Sequence, residues 1–234
     1  MQNKLLIYCP KITPRHQYIF KVLFSDIYVI EYSLTDDKEA YIASEFVKIN
    51  YSKNSICHDE IFIESNGLLS EKGINELDIQ IQLVNGEPAF FIATNKNAYP
   101  FDFFATSFYL ISRYEEYLPH LKDKYNRYKA EESLAYKYGF LQKPIVNIWL
   151  KQFIHQLQSQ FPNLIIQYPK FKYISTIDID NAYLYKGKGF IRSVAFLLKA
   201  MSSFDFDAIK MAFQVTSKKR KDPFDTYSLQ FNLQ

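Results

Sequence analysis

The stretch KLLIYCPKITPRHQYIF, residues 4–20, decides the fold class of this 234-residue chain. Residues 4–9 form an apolar run with the length of a buried strand. Thr13 and Pro14 then predict a helix start, because threonine caps a first turn and proline fits its first position. A second apolar run, IYVIEY at 27–32, predicts another strand. This strand, helix and strand order favours an α/β layer.

The segment after this start is richer in strand signals. FVKINYS, residues 46–52, alternates apolar and polar side chains, as a strand does. IQIQLVNGEPAFFIAT, residues 79–94, places two apolar runs around Asn85 and Gly86, a pair typical of a type I′ turn. We therefore expect a strand at 46–52 and a hairpin at 79–94.

Two helices and a change of unit are predicted after this hairpin. Asp102 is placed to cap a helix over 102–118, which Pro119 ends, and Pro144 opens a second helix that runs to Pro162. A linker at 162–173 leads into a predicted strand at 173–179. We expect a mixed α/β domain at 1–168 and a second unit at 169–234.

Composition and charge exclude several classes of protein. The chain is 48% hydrophobic and 18% aromatic, which is enough for a sizeable core and argues against disorder. Its net charge of +3 is too small for a typical nucleic-acid binder. No segment approaches the roughly 18 apolar residues of a membrane span, and the start is not a secretory signal. Cys9 and Cys57 form no disulfide framework, so we expect a soluble, cytoplasmic protein.

The stretch TIDIDNAYLYKGKG, residues 176–189, carries the strongest chemical signal. On a strand, Asp178 and Asp180 would point to the same side, at the end where α/β folds form ligand sites. Two close carboxylates repel each other unless a cation or a shared proton relieves them. A divalent metal site is one interpretation. The other is that both aspartates cap a helix or accept turn amides.

Two further chemistries use an Asp-x-Asp motif. Haloacid dehalogenase-type phosphatases place Thr or Val two residues after it, where this chain has Ala182. Nucleotide-sugar glycosyltransferases use the motif to hold a metal and a diphosphate. The Gly-Lys-Gly at 187–189 is far shorter than a phosphate-binding loop, and a turn is its more common structure. A metal-dependent phosphatase or glycosyltransferase stays an alternative.

Four segments together resemble a family of bacterial proteins in which an uncharacterised N-terminal domain precedes a polysaccharide deacetylase-like (NodB-type, carbohydrate esterase) domain. They are FDFFATSFYLISRYEEYLP at 101–119, EESLAYKYGFLQKPIVNIW at 131–149, YISTIDIDNAYLYKGKG at 173–189 and KDPFDTY at 221–227. In that family the first barrel strand ends in Thr-Phe-Asp-Asp-Gly. Thr176 to Asp178 match its start, and Ile179 is inserted before Asp180.

This resemblance implies that Asp178 is the general base and Asp180 a metal ligand. The chemistry would be hydrolysis of acetyl groups on a carbohydrate, with Zn, Mn or Co lowering the pKa of a bound water. The family also needs a His-x3-His pair, which this chain lacks; its histidines are His16, His58, His120 and His155. We therefore expect residues 169–234 to be the first strand and helices of an incomplete (β/α) barrel, with no metal bound and no activity. The alternative is a non-catalytic glycan- or protein-binding module.

Overall fold

The computed structural model describes residues 4–176 and 178–233, which form two compact units. Unit 1 is Met1–Lys170 and unit 2 is Phe171–Gln234. The sequence predicts a boundary between residues 168 and 169. The division of the chain there into an N-terminal α/β domain and a deacetylase-like domain stays a prediction. No helix in the described part of the chain is long and apolar enough to cross a bilayer.

Unit 1 is built on a four-stranded parallel sheet with the strand order β2-β1-β3-β4. The strands are β1 (Lys4–Tyr8), β2 (Glu31–Thr35), β3 (Val47–Ser52) and β4 (Glu60–Glu64). Helix α1 (Pro14–Phe20) and a π-helix (Lys21–Ile27) connect β1 to β2, and α2 (Lys38–Ala43) connects β2 to β3. The predicted mixed α/β class is therefore confirmed for this unit.

The two faces of the sheet are covered differently. Side chains of β1 such as Leu5 and Ile7 enter the main core, while Leu6 and Tyr8 face the opposite side and pack with Tyr41 of α2. This alternation follows from the two-residue period of a strand. The main core also contains α1, the π-helix, α3 (Phe103–Ile111) and α5 (Ile145–Gln160).

Two local sequence signals are confirmed in unit 1. Thr13 caps α1, since its backbone N–H donates to His16 Nδ1 at 3.2 Å and its side chain accepts the backbone N–H of His16. Asn85 and Gly86 have φ values of 51° and 81°, the left-handed pair that a type I′ turn requires. The hairpin strands, β5 (Gln82–Val84) and β6 (Glu87–Ala89), are shorter than predicted.

Three elements of unit 1 differ from the prediction. The strand expected at 27–32 lies at 31–35, because α1 continues as the π-helix through Ile27. β4 was not predicted, since its apolar core is only three residues, Ile61 to Ile63, between two glutamates. The helix expected at 102–118 ends at Ile111, because Arg113 adopts a left-handed backbone with φ 53° and a 3₁₀ turn, Tyr114–Tyr117, follows.

Unit 1 also contains a short helix, α4 (Leu134–Lys137), before α5. The described part of unit 2 contains three further helices. They are α6 (Phe190–Ser202), α7 (Phe206–Thr216) and α8 (Tyr227–Asn232). The strand predicted at 173–179 is wrong for residues 173–176, 178 and 179, which have no regular structure; residue 177 lies outside the described residues. A strand needs a neighbour to accept its backbone hydrogen bonds, and the described part of unit 2 offers helices only.

Candidate functional site

The two motif aspartates lie at a cleft of unit 2. Asp178 and Asp180 are exposed, and the cleft that they line has a volume of about 420 Å³. Its opposite wall comes from the KDPFDTY segment and α8. The lining residues there are Pro223, Phe224, Thr226, Tyr227 and Gln230. Two segments that carry the family resemblance, 173–189 and 221–227, therefore meet at one place.

Asp222 organises the chain that follows the aspartate motif. Its carboxylate accepts the backbone N–H groups of Leu184 and Tyr185, each at 2.8 Å, and of Lys186 at 3.0 Å. Burial opposes ionisation of Asp222, but these amides and the N–H of Phe224 outweigh it and lower its pKa to about 2. Asp222 is therefore a charged structural acceptor that holds residues 184–186 against residues 222–224.

A second link fixes the same junction. The Tyr227 hydroxyl donates to the Ala182 carbonyl at 3.2 Å, and its ring lies 6.0 Å from that of Tyr183, centroid to centroid. No described residue donates a hydrogen bond to the carboxylate of Asp178 or Asp180. Asp222 accepts the turn amides at this junction, which is the structural role that an aspartate could have here. The carboxylates of Asp178 and Asp180 stay accessible to solvent.

The described residues do not complete a metal site at this cleft. They contain no cluster of three or more His, Cys, Asp or Glu side chains that could hold an ion. The cleft supplies two carboxylates and the Gln230 amide, whose Oε1 is buried and has no hydrogen-bond partner among the described residues. A closed zinc site needs four ligands, with His or Cys common among them. The cleft thus offers oxygen ligands of the kind that hard cations prefer, but too few of them.

The histidines lie in unit 1, away from this motif in sequence. His16 is buried in the core, where burial lowers its pKa to about 4, and its ring lies 5.5 Å from that of Tyr51. His58 and His155 are exposed, and His120 is half-buried beside Tyr128. Their positions agree with core or surface roles for each.

The carboxyl edge of the parallel sheet is the usual place for a ligand in an α/β fold. In unit 1 a buried network occupies this edge. Asp102 accepts hydrogen bonds from the Tyr51 hydroxyl, the Asn66 N–H and the Ala105 N–H, and so joins β3, the residues after β4 and the start of α3. Sequence reasoning predicted the cap on α3 but not the other two bonds.

Asp222 and Gln230 were also missed from the sequence. The only signal for Asp222 was its place in the KDPFDTY segment, and nothing in the sequence separates its role from that of Asp225. Gln230 carries no motif at all. Both become visible only when α8 and the turn before it are placed beside residues 178–186.

Comparison with known proteins supplies one family. Residues 5–162, which include most of unit 1, match a family of unknown function, DUF7033, and the chain belongs to that family. No curated protein and no solved structure matches the chain.

Proposed function

We propose that this chain is the N-terminal portion of a metal-dependent polysaccharide deacetylase, which hydrolyses acetyl groups on a carbohydrate. In this proposal Asp178 accepts a proton from the attacking water, and Asp180 contributes one ligand to a divalent ion. In this proposal the remaining ligands come from outside residues 1–234, because the four histidines of this chain include no His-x3-His pair.

The observation that carries the proposal is the state of the two motif carboxylates. Both are exposed at a cleft, while the neighbouring Asp222 is buried and accepts four backbone amides. Neither motif carboxylate accepts a hydrogen bond from a described residue, so both are accessible from the cleft. Such a pair is available for a metal, a water or a substrate.

The weak core of unit 2 supports an incomplete domain. Among residues 171–176 and 178–233 the buried apolar side chains are Ala200 and Val215. The large apolar side chains that α6 and α7 leave exposed are Phe190, Ile191, Val194, Leu197, Leu198, Met201, Phe206 and Phe213. Helices that pack around a parallel barrel bury such a face against its strands. A proposed barrel continuing after Gln234 would cover it.

Three observations test the proposal. The reading frame after Gln234 should encode a His-x3-His pair about 50 to 100 residues downstream, because a motif needs its structural context. The 234-residue chain itself should bind Zn or Mn only weakly in a calorimetric titration, since two carboxylates give too few ligands. Submicromolar, stoichiometric binding that disappears in Asp180→Ala would contradict the incomplete site. A longer chain that includes the remaining ligands should release acetate from acetylated sugars. It should not release phosphate from phosphorylated sugars.

A further inference from the structure

Unit 1 contains a separate cavity that the proposed deacetylase chemistry does not use. Its volume is about 660 Å³, within the range of small-molecule sites. Four parts of unit 1 form its walls: Ile27 at the end of the π-helix, the end of α3 with the turn after it, residues 128–135, and residues 140–147 at the start of α5. Two of the segments that carry the family resemblance, 101–119 and 131–149, therefore meet here.

The cavity combines an apolar floor with a polar rim. Tyr109, Phe140 and Ile145 are buried and form part of the floor. The polar groups come from Arg113, Glu115, Glu116, Tyr128, Ser133, Lys143 and Asn147. A pocket with this combination fits a ligand that has both an apolar surface and hydrogen-bonding groups.

The charges of the rim are already balanced. Arg113 pairs with Glu116, and Lys143 pairs with Glu87 at 2.8 Å. Glu115 accepts the N–H of Leu134 at 3.0 Å, and burial raises its pKa. An anionic ligand would have to displace a carboxylate from one of these cations. A neutral ligand with hydroxyl groups gains hydrogen bonds at the rim without breaking an ion pair.

The cavity continues into a second, more open depression. This depression shares Arg113, Glu116, Tyr128 and Ala130 with the first cavity and has a volume of about 990 Å³. Its own charged residues are again of both signs, and Arg127 pairs with Asp123 at 2.8 Å. We call the two together the trough. Its extent suits an elongated ligand rather than a single small molecule.

Arg113 stands out within the trough. Its φ of 53° lies in the left-handed region, at the position after a helix where glycine is usual. A non-glycine residue there costs free energy, and strain of this kind is often retained at binding sites. The backbone conformation therefore does not favour arginine at position 113. The place of Arg113 in the lining of both depressions is a reason for arginine there.

Exposed aromatic rings lie near the trough residues in sequence, outside the lining of either depression. Tyr117, Tyr125, Tyr136 and Tyr138 are each at least half exposed. Tyr128 lines both depressions, and tyrosine combines an apolar ring with a hydroxyl, which suits ligands that are apolar on one face and polar at their edges. We propose that unit 1 binds a neutral, hydroxyl-rich oligosaccharide in the trough formed around Arg113, Glu116 and Tyr128. This inference stands independently of the deacetylase proposal.

The test is calorimetric titration of the whole 234-residue chain with three tetrasaccharides. Cellotetraose and tetra-N-acetylchitotetraose are the neutral probes, and tetragalacturonic acid is an anionic probe of the same length. We expect saturable binding of at least one neutral probe, at least about tenfold tighter than the anionic one. Failure of both neutral probes at millimolar concentration, or tighter binding of the anionic probe, would overturn the proposal.

The variant that locates the site is Arg113→Gly. Glycine accepts φ 53° without strain, so this variant should be at least as stable as the wild type. We expect it to weaken binding by about tenfold or more, since it removes a charged hydrogen-bond donor from the trough. Lys218→Gly is the matched control, because Lys218 also has a positive φ, 59°, but lies in unit 2.

Three further variants make the result decisive. Tyr128→Phe removes one hydroxyl from the trough, and Tyr18→Phe removes one from an exposed site outside it. Only the first should weaken binding. Asp178→Asn should leave binding unchanged; dependence on Asp178 would place the ligand in unit 2. Wild-type affinity in both Arg113→Gly and Tyr128→Phe would show that the trough is not the site.

Discussion

The Tyr51 hydroxyl donates a hydrogen bond of 2.8 Å to Asp102 Oδ2, and both side chains are buried in unit 1. The same oxygen accepts the Asn66 N–H at 2.7 Å, and Oδ1 accepts the Ala105 N–H at 2.9 Å. Burial nevertheless dominates and raises the pKa of Asp102 from its ordinary 3.8 to about 6. This one carboxyl group thus ties three elements together and titrates in an accessible pH range.

The first prediction concerns the pH dependence that Asp102 gives to stability. Because folding raises its pKa, its contribution is fully present below about pH 4 and is lost as the pH rises through 6. The difference in free energy of unfolding between the wild type and Asp102→Asn should therefore fall across this range. The fall should reach about 3 kcal/mol at most.

Urea unfolding at several pH values measures this difference. The single tryptophan, Trp149, is buried and reports on the core of unit 1 by fluorescence. Taking the difference between two proteins removes the contribution of every group they share. A difference that stays constant from pH 4 to 7, or that grows, would contradict the raised pKa.

His16 predicts the opposite slope in nearly the same range. Burial lowers its pKa from 6.5 to about 4, so its contribution is present above pH 6.5 and is lost as the pH falls through 4. His16→Gln keeps an acceptor for the Thr13 N–H, as in a capping box, but does not titrate. The wild type should lose on the order of 2 kcal/mol relative to this variant between pH 7 and 4. A flat difference would show that His16 is not protected from protonation.

The third prediction concerns Glu60, which orders the short connection between two parallel strands. Its Oε1 accepts Asn50 Nδ2 at 2.9 Å, Ser55 Oγ at 2.9 Å and the Ile56 N–H at 2.7 Å, while Oε2 accepts the Tyr41 hydroxyl at 3.0 Å. Glu60→Gln turns one acceptor into a donor that faces other donors. We expect a loss of about 2 to 3 kcal/mol in the free energy of unfolding.

The matched control for this change is Glu45→Gln. Glu45 is exposed, so the same chemical change should alter stability by less than about 0.5 kcal/mol. Chemical denaturation of both variants gives the comparison. Equal, small effects of the two substitutions would mean that the Glu60 network adds little to stability.

The fourth prediction concerns Asp222. Asp222→Asn weakens the acceptor for the amides of Leu184, Tyr185 and Lys186. Hydrogen exchange at these amides should become at least about tenfold faster, while the exposed control Asp207→Asn leaves it unchanged. Unchanged exchange in Asp222→Asn would show that other contacts hold this segment.

The sequence predicted the local features of the fold well. The Thr13 cap, the Asn85-Gly86 turn and the Asp102 cap each depend on residues within a few positions of one another. Such features are set by backbone geometry and hydrogen bonding inside the segment itself. They therefore appear in the structure at the predicted residues.

Features that depend on distant residues were not predictable in the same way. The bond between Tyr51 and Asp102 joins residues 51 positions apart, and that between Asp222 and Leu184 joins residues 38 apart. The early end of α3 at Ile111 depends on Arg113 taking a conformation that arginine rarely adopts. The strand expected at 173–179 had the right apolar pattern but needs a partner strand, which a pattern cannot supply.

The last prediction rests on the proposed deacetylase function. It separates the proposed roles of Asp178 and Asp180 in a longer chain that adds the proposed histidine ligands. Asp178→Asn keeps the shape of the side chain but cannot accept the proton of the attacking water. We expect acetate release to fall about 10²–10⁴-fold, the usual cost of losing a general base, with metal content near that of the wild type. Asp180→Asn should instead lower the metal content, because it removes a charged ligand.

The control is Asp207→Asn. Asp207 is an exposed aspartate outside the cleft, so this variant should change neither acetate release nor metal content. Near-normal turnover in Asp178→Asn would exclude Asp178 as the base. Metal loss in Asp178→Asn but not in Asp180→Asn would mean that the two roles are reversed. The motif that this segment resembles has adjacent aspartates, whereas Ile179 separates them here, so this experiment decides which aspartate has which role.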